Sequence, residues 1–243
     1  MDLKVIGTKK ALSLEEIEQL KENAAFKRLI ADVPSLSDYQ SLNILDSFYF
    51  QGLRESKDNS FKKGKGIILG DSQKTKTIMI QQDLNNDRVV ANAILVKNLG
   101  NEKVIEKYKA DNDQSKKVFS RTLNQKDKEE FKSNFNNNLF EVNESFRFIE
   151  DDEILAQSWP WQGCLPGGYK WCGDNCSNYP DRGGDGSILN STDNCCKNHD
   201  YCYRYDHAST DGCDDTLCCC VENKSTNAAT FIGLYFCDWG HSC

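Results

Sequence analysis

Cysteine is confined to one end of this chain, and this distribution limits the possible folds more than any other feature of the sequence. All 12 cysteines and all 3 histidines follow residue 163, and all 4 tryptophans lie from Trp159 onward. The segment that holds them, residues 157–243, is short enough that it buries too little apolar surface to be stable unaided. Its cysteine content is typical of a small domain stabilised by disulfides. The sequence therefore predicts two domains, residues 1–156 and residues 157–243, with 151–159 as the linker.

The charge divides in the same way. From Ser158 onward there are 5 Lys+Arg against 11 Asp+Glu, a net −6 of the total −7, which leaves −1 for the rest of the chain. An acidic segment does not suit nucleic acid, because phosphate binding requires concentrated Lys and Arg. It also favours a cation over a strongly anionic membrane as its ligand.

The many cysteines predict an oxidising compartment, so we expect a secreted, extracellular protein. No signal peptide is visible in this chain, because its first residues contain no apolar run of the necessary length. Either an export signal has been removed or export is unconventional. There is also no stretch of about 18 apolar residues that could span a bilayer.

Residues 1–156 predict an α+β domain with one helix and an antiparallel sheet. Ser13 and Glu16 form a capping box, and an apolar stripe then continues to about Ala31. Short β-branched and aromatic runs follow, and "LNNDR" at 84–88 is typical of a hairpin turn. The predicted strands are "GIILG" at 66–70, "KTIMIQQD" at 76–83, "RVVANAILVKNL" at 88–99 and "LFEVNESFRFIED" at 139–151.

The Lys/Asp/Asn-rich stretch 107–138 predicts either a helix over 124–135 or a solvated loop. No catalytic group of residues is found in the first domain. The role of the first domain therefore stays open between a pro-region, an inhibitor or chaperone of the second domain, and an accessory module that binds a protein partner. We expect this domain to be dispensable for the chemistry and to act on the folding or restraint of the second domain.

Cysteine spacing predicts two antiparallel helices in the second domain. "TDNCCKNHDYC" at 192–202 and "CDDTLCCC" at 213–220 each place two cysteines seven residues apart. A ten-residue connection makes the helices antiparallel, so that Cys202 pairs with Cys213 and Cys195 with Cys220.

This geometry places His199 opposite the start of the second helix. Asp214 is the natural carboxylate to orient the imidazole, with Asp215 as its rival, and Asp200 is left for another role. The Gly/Asn-rich loop 167–178 can turn several carbonyls towards one point. Carbonyls with a carboxylate make a calcium site, and a cation near Asp200 would lie beside a water activated by His199.

The motifs "WCG" at 171–173, "TDNCCKNHDYC" and "CDDTLCCC" resemble the secreted phospholipases A2, most closely the bee-venom-like group, over about residues 169–220. The resemblance implies a small, mainly α-helical domain. It also implies the same two disulfides and adds Cys172 to Cys196. By it, His199 is the general base, Asp214 its carboxylate partner, and the calcium ligands are Asp200 and the carbonyls of Trp171, Gly173 and Asn175, which stands where the family has glycine.

The function implied is calcium-dependent hydrolysis of the sn-2 ester of glycerophospholipids at a membrane or micelle surface. The alternative is a catalytically silent member of the same scaffold, a membrane- or protein-binding toxin or antimicrobial module released from a precursor. Zinc is disfavoured because no CxxC pair accompanies the histidine.

The remaining aromatic, histidine and cysteine residues have weaker predictions. A tryptophan is more often part of the hydrophobic core than of a lipid interface, and Trp159 and Trp161 are the best candidates for the interface. His207 and His241 are expected at the surface. Six cysteines have no assigned partner: Cys164, Cys176, Cys218, Cys219, Cys237 and Cys243.

Overall fold

The helices and strands below come from a computed structural model. It describes residues 3–8, 11–54, 60–136, 148, 164–165, 168–173, 184, 186–205, 210–235 and 237. The strands are β1 Leu3–Thr8, β2 Asn43–Arg54, β3 Ser60–Gly70, β4 Lys76–Asp83, β5 Arg88–Leu99, β6 Glu102–Ala110 and β7 Ser115–Thr122. The α-helices are α1 Leu14–Glu22, α2 Ala24–Asp32, α3 Gln125–Ser133, α4 Ser191–Tyr205, α5 Thr210–Glu222 and α6 Asn227–Tyr235.

The seven strands form one antiparallel sheet in sequence order. This confirms the predicted class, an α+β arrangement followed by a disulfide-rich helical region. Strands β4 and β5 have the predicted bounds, and Asp83 pairs with Arg88 across the predicted hairpin turn. "GIILG" ends β3. The strand predicted over 139–151 lies outside the described residues apart from Phe148.

The single helix predicted from Ser13 to about Ala31 is wrong, because the chain forms two helices there. The capping box is present: Glu16 N–H donates to Ser13 Oγ over 3.3 Å, and Ser13 N–H donates to Glu16 Oε2 over 2.9 Å. The break lies at Asn23, which has extended backbone angles and accepts a hydrogen bond from Ala25 N–H at 2.8 Å. An asparagine cap competes with helix continuation, so it starts α2.

Alternate residues of the central strands contribute to two different cores, as a period of two requires. Ile67 and Leu69 pack towards α1 and α2, while Ile68 between them faces the opposite side. The same alternation holds in β4, where Ile78 and Ile80 flank Met79. Both faces of the sheet are therefore covered.

The disulfide-rich helices cover the second face of the sheet. Phe231 of α6 is fully buried there, with ring centroids 4.8 Å from Phe50 and 6.1 Å from Phe48. One apolar cluster thus contains residues from both predicted domains. The predicted linker 151–159 lies outside the described residues, so the boundary stays a prediction.

For the charged stretch 107–138, the helix predicted over 124–135 is confirmed and the solvated loop is wrong. Its first part continues β6 and forms β7, and its second part forms α3 after the cap Asn124. Two acids of α3, Asp127 and Glu130, are buried. Asp127 is paired with Arg121 at 2.6 Å, which explains how a charge enters this interface.

Candidate active site

Two disulfides hold α4 and α5 as an antiparallel pair. Cys195 is bonded to Cys220 and Cys202 to Cys213, each with a Cα–Cα distance of 5.7 Å. These are the two pairs predicted from the seven-residue spacing. Cys202 and Cys213 lie beside the connection between the helices, and Cys195 and Cys220 lie far from it, as an antiparallel arrangement requires. The residues between the two bridges therefore face one another.

Two further disulfides attach neighbouring segments to this helix pair. Cys172 is bonded to Cys196, as the family resemblance implies, which holds loop 168–173 against α4. Cys218 is bonded to Cys237, a pairing that the sequence left open. Cys164 and Cys219 are also disulfide-bonded. Among the described residues no cysteine is free, which agrees with an oxidising compartment.

His199 and Asp214 meet between the two bridges. His199 Nε2 lies 2.9 Å from Asp214 Oδ1, and both side chains are buried, at 6% and 7% exposure. Asp215 is exposed, so it is not the residue that faces the imidazole. With Nε2–H donating to the carboxylate, Nδ1 carries the lone pair, and this is the tautomer that a general base needs.

Tyr203 is a third member of this group that the sequence did not identify. Its hydroxyl donates to Asp214 Oδ1 at 2.6 Å, and its ring meets the imidazole edge-on, with centroids 4.7 Å apart. Tyr203 lies four residues after His199, so the i, i+4 relation on a helix was the available signal. Its hydrogen bond lowers the freedom of the carboxylate that orients the base.

Asp200 lies on the other side of the imidazole. Its Oδ1 is 3.7 Å from His199 Nδ1, too long for a hydrogen bond of ordinary geometry. Its Oδ2 is buried and has no hydrogen-bond partner among the described residues. A buried carboxylate oxygen without a partner is costly, and carboxylate oxygens are among the ligands that calcium prefers.

The electrostatics of the two groups agree with that geometry. Burial raises the pKa of Asp200, with His199 acting in the opposite direction. Burial alone would lower the pKa of His199, but the carboxylates of Asp200 and Asp214 outweigh it and raise that pKa. The imidazole therefore lies between two carboxylates, hydrogen-bonded to Asp214 and 3.7 Å from Asp200.

Asp193 organises the predicted calcium loop and was not singled out by its sequence. Its side chain is fully buried in the first turn of α4. Oδ1 accepts hydrogen bonds from the N–H groups of Lys170 (3.0 Å) and Trp171 (2.9 Å), and Oδ2 accepts one from Leu189 N–H at 2.9 Å. One carboxylate thereby joins loop 168–173 to the segment just before α4.

Two of the three predicted carbonyl ligands lie on this fixed loop. The Trp171 side chain is 5% exposed and belongs to the core. Gly173 has a φ of +129°, a conformation that favours glycine. Cys172 between them turns its carbonyl to Leu165 N–H at 2.6 Å.

Several sequence predictions fall outside the described residues. They are the third carbonyl, on Asn175, the tryptophans Trp159, Trp161 and Trp239, and the histidines His207 and His241. Within the described part of the chain, no three His, Cys, Asp or Glu side chains are grouped to hold a metal. A site of one carboxylate and backbone carbonyls is not such a group.

Comparison with protein-family models, curated proteins and solved structures gave no match for this chain. What the structure shows is a small helical region with four described disulfides and helices from 191 to 235. This region is compatible with a phospholipase A2-like domain. No helix in the described ranges is long and apolar enough to cross a membrane.

Proposed function

We propose that this protein hydrolyses the sn-2 ester of glycerophospholipids in a calcium-dependent reaction, with His199 as the general base. The observation that carries the proposal is the buried His199–Asp214 pair beside Oδ2 of Asp200, an oxygen that has no hydrogen-bond partner in the part of the chain that the structure describes. A general base needs a carboxylate partner that orients it, and this pair supplies both. The motif resemblance supports the same reaction.

The chemistry of this chain's residues follows from the tautomer. His199 Nδ1 takes a proton from water while the water oxygen bonds to the carbonyl carbon of the ester. When the tetrahedral intermediate collapses, the bond to the glycerol oxygen breaks and the proton passes from Nδ1 to that oxygen. The products are a lysophospholipid and a fatty acid. Asp214 orients the ring and balances its transient positive charge, and Tyr203 holds Asp214.

Calcium fits the residues that are present. Asp200 would bind it through its side chain, together with the carbonyls of Trp171, Gly173 and Asn175. Calcium prefers such oxygen ligands, and the buried, unpartnered Oδ2 of Asp200 meets this preference. When bound, the ion supplies positive charge to the oxyanion that develops on the ester carbonyl.

Exposed apolar and aromatic side chains in α4 and just before it support a phospholipid interface as the partner. Ile188, Leu189, Tyr201 and Tyr205 are exposed at 40%, 46%, 40% and 63%. The Tyr201 and Tyr205 rings lie 5.7 Å apart. Tyrosine is enriched where one end of a side chain is apolar and the other wet, as at a bilayer surface. With the disulfides, this favours a secreted enzyme acting on external lipid.

The deciding experiment is hydrolysis of mixed phospholipid micelles by the full chain with calcium and with chelator. Fatty-acid release should require calcium. His199→Gln should lower turnover by about 10² to 10⁴ without loss of fold, while the matched exposed change Asp215→Asn should leave it unchanged. Equal turnover in the wild type and His199→Gln, or in calcium and chelator, would overturn the proposal.

A further inference from the structure

Polar groups from the first part of the chain bind the ends of all three disulfide-region helices. At the start of α4, Glu130 Oε1 accepts a hydrogen bond from Ser191 N–H at 2.9 Å, and Oε2 accepts one from Ser191 Oγ at 2.7 Å. Glu130 and Ser191 are both buried. A carboxylate at a helix N-terminus complements the free N–H groups and the positive end of the helix dipole.

Two basic residues of the sheet, Lys107 and Arg121, bind the C-terminal end of α5. Lys107 Nζ donates to the carbonyls of Glu222 (3.1 Å) and Lys224 (3.0 Å). Arg121 donates to the carbonyl of Asn223 at 3.1 Å. Three successive carbonyls at a helix C-terminus thus accept hydrogen bonds from the sheet, the complement of the contact at α4.

The turn between α5 and α6 is bound by Asn134. Its Nδ2 donates to Ser225 O and its Oδ1 accepts from Asn227 N–H, both at 2.8 Å. The same turn is linked to α4, because the hydroxyls of Thr192 and Thr226 are 2.7 Å apart. One end of each of the three helices is therefore bound by groups of the first part of the chain.

These contacts lie at matching distances from the two reacting groups. Ser191 precedes His199 by eight residues, and Glu222 follows Asp214 by eight residues, about 12 Å along each helix. In an antiparallel pair these two ends are neighbours. Binding both of them fixes these ends to the sheet and to α3, in addition to the two disulfides that join the helices to each other.

We propose that residues 11–136 are a permanent partner of the disulfide-rich helices, and that Glu130, Lys107 and Arg121 are positioning residues for the His199–Asp214 pair. Their effect on turnover rests on the proposed function, whereas their effect on the helices does not. The fully buried rings of Phe48, Phe50 and Phe231 point the same way, since separation would expose this apolar interface. This proposal keeps the expected action of the first domain on the second and departs from the expectation that the first domain is dispensable for the chemistry.

Cleavage after folding tests the permanence of the partnership. A site for a specific protease is placed in 151–159 of the full chain, which is folded under oxidising conditions and then cut. No disulfide can join the halves, because all cysteines follow residue 163. We expect the halves to co-elute in native size-exclusion chromatography and to separate only in denaturant. Separation in native buffer would overturn the proposal.

Substitution tests the positioning role. The double variant Glu130→Ala/Lys107→Met is compared with Glu129→Ala/Lys103→Met, which changes exposed residues of the same helix and strand. We expect the first pair to speed amide exchange in the first turn of α4 by tenfold or more and to lower kcat about tenfold at constant KM. The control pair should change neither. Unchanged exchange in the first pair would overturn the proposal.

The conservative variant Glu130→Gln separates positioning from a loss of fold. Glutamine keeps one acceptor oxygen for Ser191 N–H, so it should restore most of the exchange protection and of kcat. Protection no better than that of Glu130→Ala would contradict the contact. If the wild type hydrolyses no phospholipid, the proposed function fails, while co-elution and amide exchange still decide this proposal.

Discussion

Tyr203 Oη and His199 Nε2 converge on one oxygen, Oδ1 of Asp214, at 2.6 Å and 2.9 Å. A carboxylate held by two donors cannot rotate away from the imidazole without losing both bonds. The orientation of the base is therefore set by three side chains on two helices, and each helix is held at its end by the sheet or by α3.

Removing the Tyr203 hydroxyl should weaken catalysis without removing the base. We expect Tyr203→Phe to lower kcat about threefold to tenfold, because Asp214 keeps its bond to His199 but gains freedom. Steady-state kinetics on micelles measures this. The control is Tyr205→Phe, which alters an exposed tyrosine on the same helix. Wild-type kcat in Tyr203→Phe would show that the hydroxyl has no orienting role.

Asp193→Asn should loosen the predicted calcium loop. The carboxylate accepts three backbone N–H groups, and an amide that keeps Oδ1 presents its NH₂ to Leu189 N–H. We expect a loss of about 2 kcal/mol in the free energy of unfolding, as for hydrogen bonds to a buried charge, with weaker calcium binding. Thermal unfolding and calorimetry measure the two effects. Calcium affinity equal to that of the wild type would separate Asp193 from the site.

Asp200→Asn should have opposite effects on stability with and without calcium. In chelator, the variant loses a buried carboxylate whose Oδ2 lacks a partner, so we expect a higher Tm than in the wild type. In excess calcium only the wild type gains binding energy, about 2.7 kcal/mol at a hundred times Kd. Calorimetric scans in chelator and in calcium show whether the protein with the higher Tm changes from the variant to the wild type. An unchanged order would place the calcium ligand elsewhere.

The exposed side chains of Leu189, before α4, and Tyr205, at its end, should act in interface binding rather than in the chemistry. We expect Leu189→Ser/Tyr205→Ala to weaken binding to phosphatidylcholine vesicles about tenfold, because apolar and aromatic area is lost from the bilayer contact. Hydrolysis of a soluble monomeric ester should be unchanged. Vesicle sedimentation measures the binding, and Leu99→Ser, an exposed apolar residue of the sheet, is the control. An equal loss of vesicle binding in Leu99→Ser would show that Leu189 and Tyr205 have no specific role at the interface.

The sequence predicted what depends on local spacing. The seven-residue intervals gave the pairing of α4 with α5 and brought His199 to Asp214, and period-two runs gave β4 and β5. Contacts between distant segments carry no such pattern. Glu130 stands in a charged run that is typical of a solvated surface, and only its contact with Ser191 makes it a buried cap. For the same reason the covering of the sheet's second face could not be predicted.

Lys107 should couple folding to pH. Its amine is buried, and this burial, with Lys109 and Arg121 nearby and Glu222 in opposition, lowers the pKa to about 7. Below pH 7 the folded and the unfolded chain both carry the charge, and its burial destabilises the fold in full. As pH rises from 7 towards 10.5, the folded state releases this proton before the unfolded state does, so unfolding takes up a proton and stability rises.

Relative to Lys107→Met, the wild type should therefore gain up to about 1.4 kcal/mol of unfolding free energy per pH unit across this window. The neutral amine still has two hydrogens, enough for the carbonyls of Glu222 and Lys224, so the helix contact persists. Urea unfolding of both proteins from pH 6 to 10 measures the difference, and Lys103→Met on the same strand is the exposed control. A difference that stays flat with pH would mean that Lys107 remains charged in the fold, with its ammonium stabilised by the carbonyls at the end of α5.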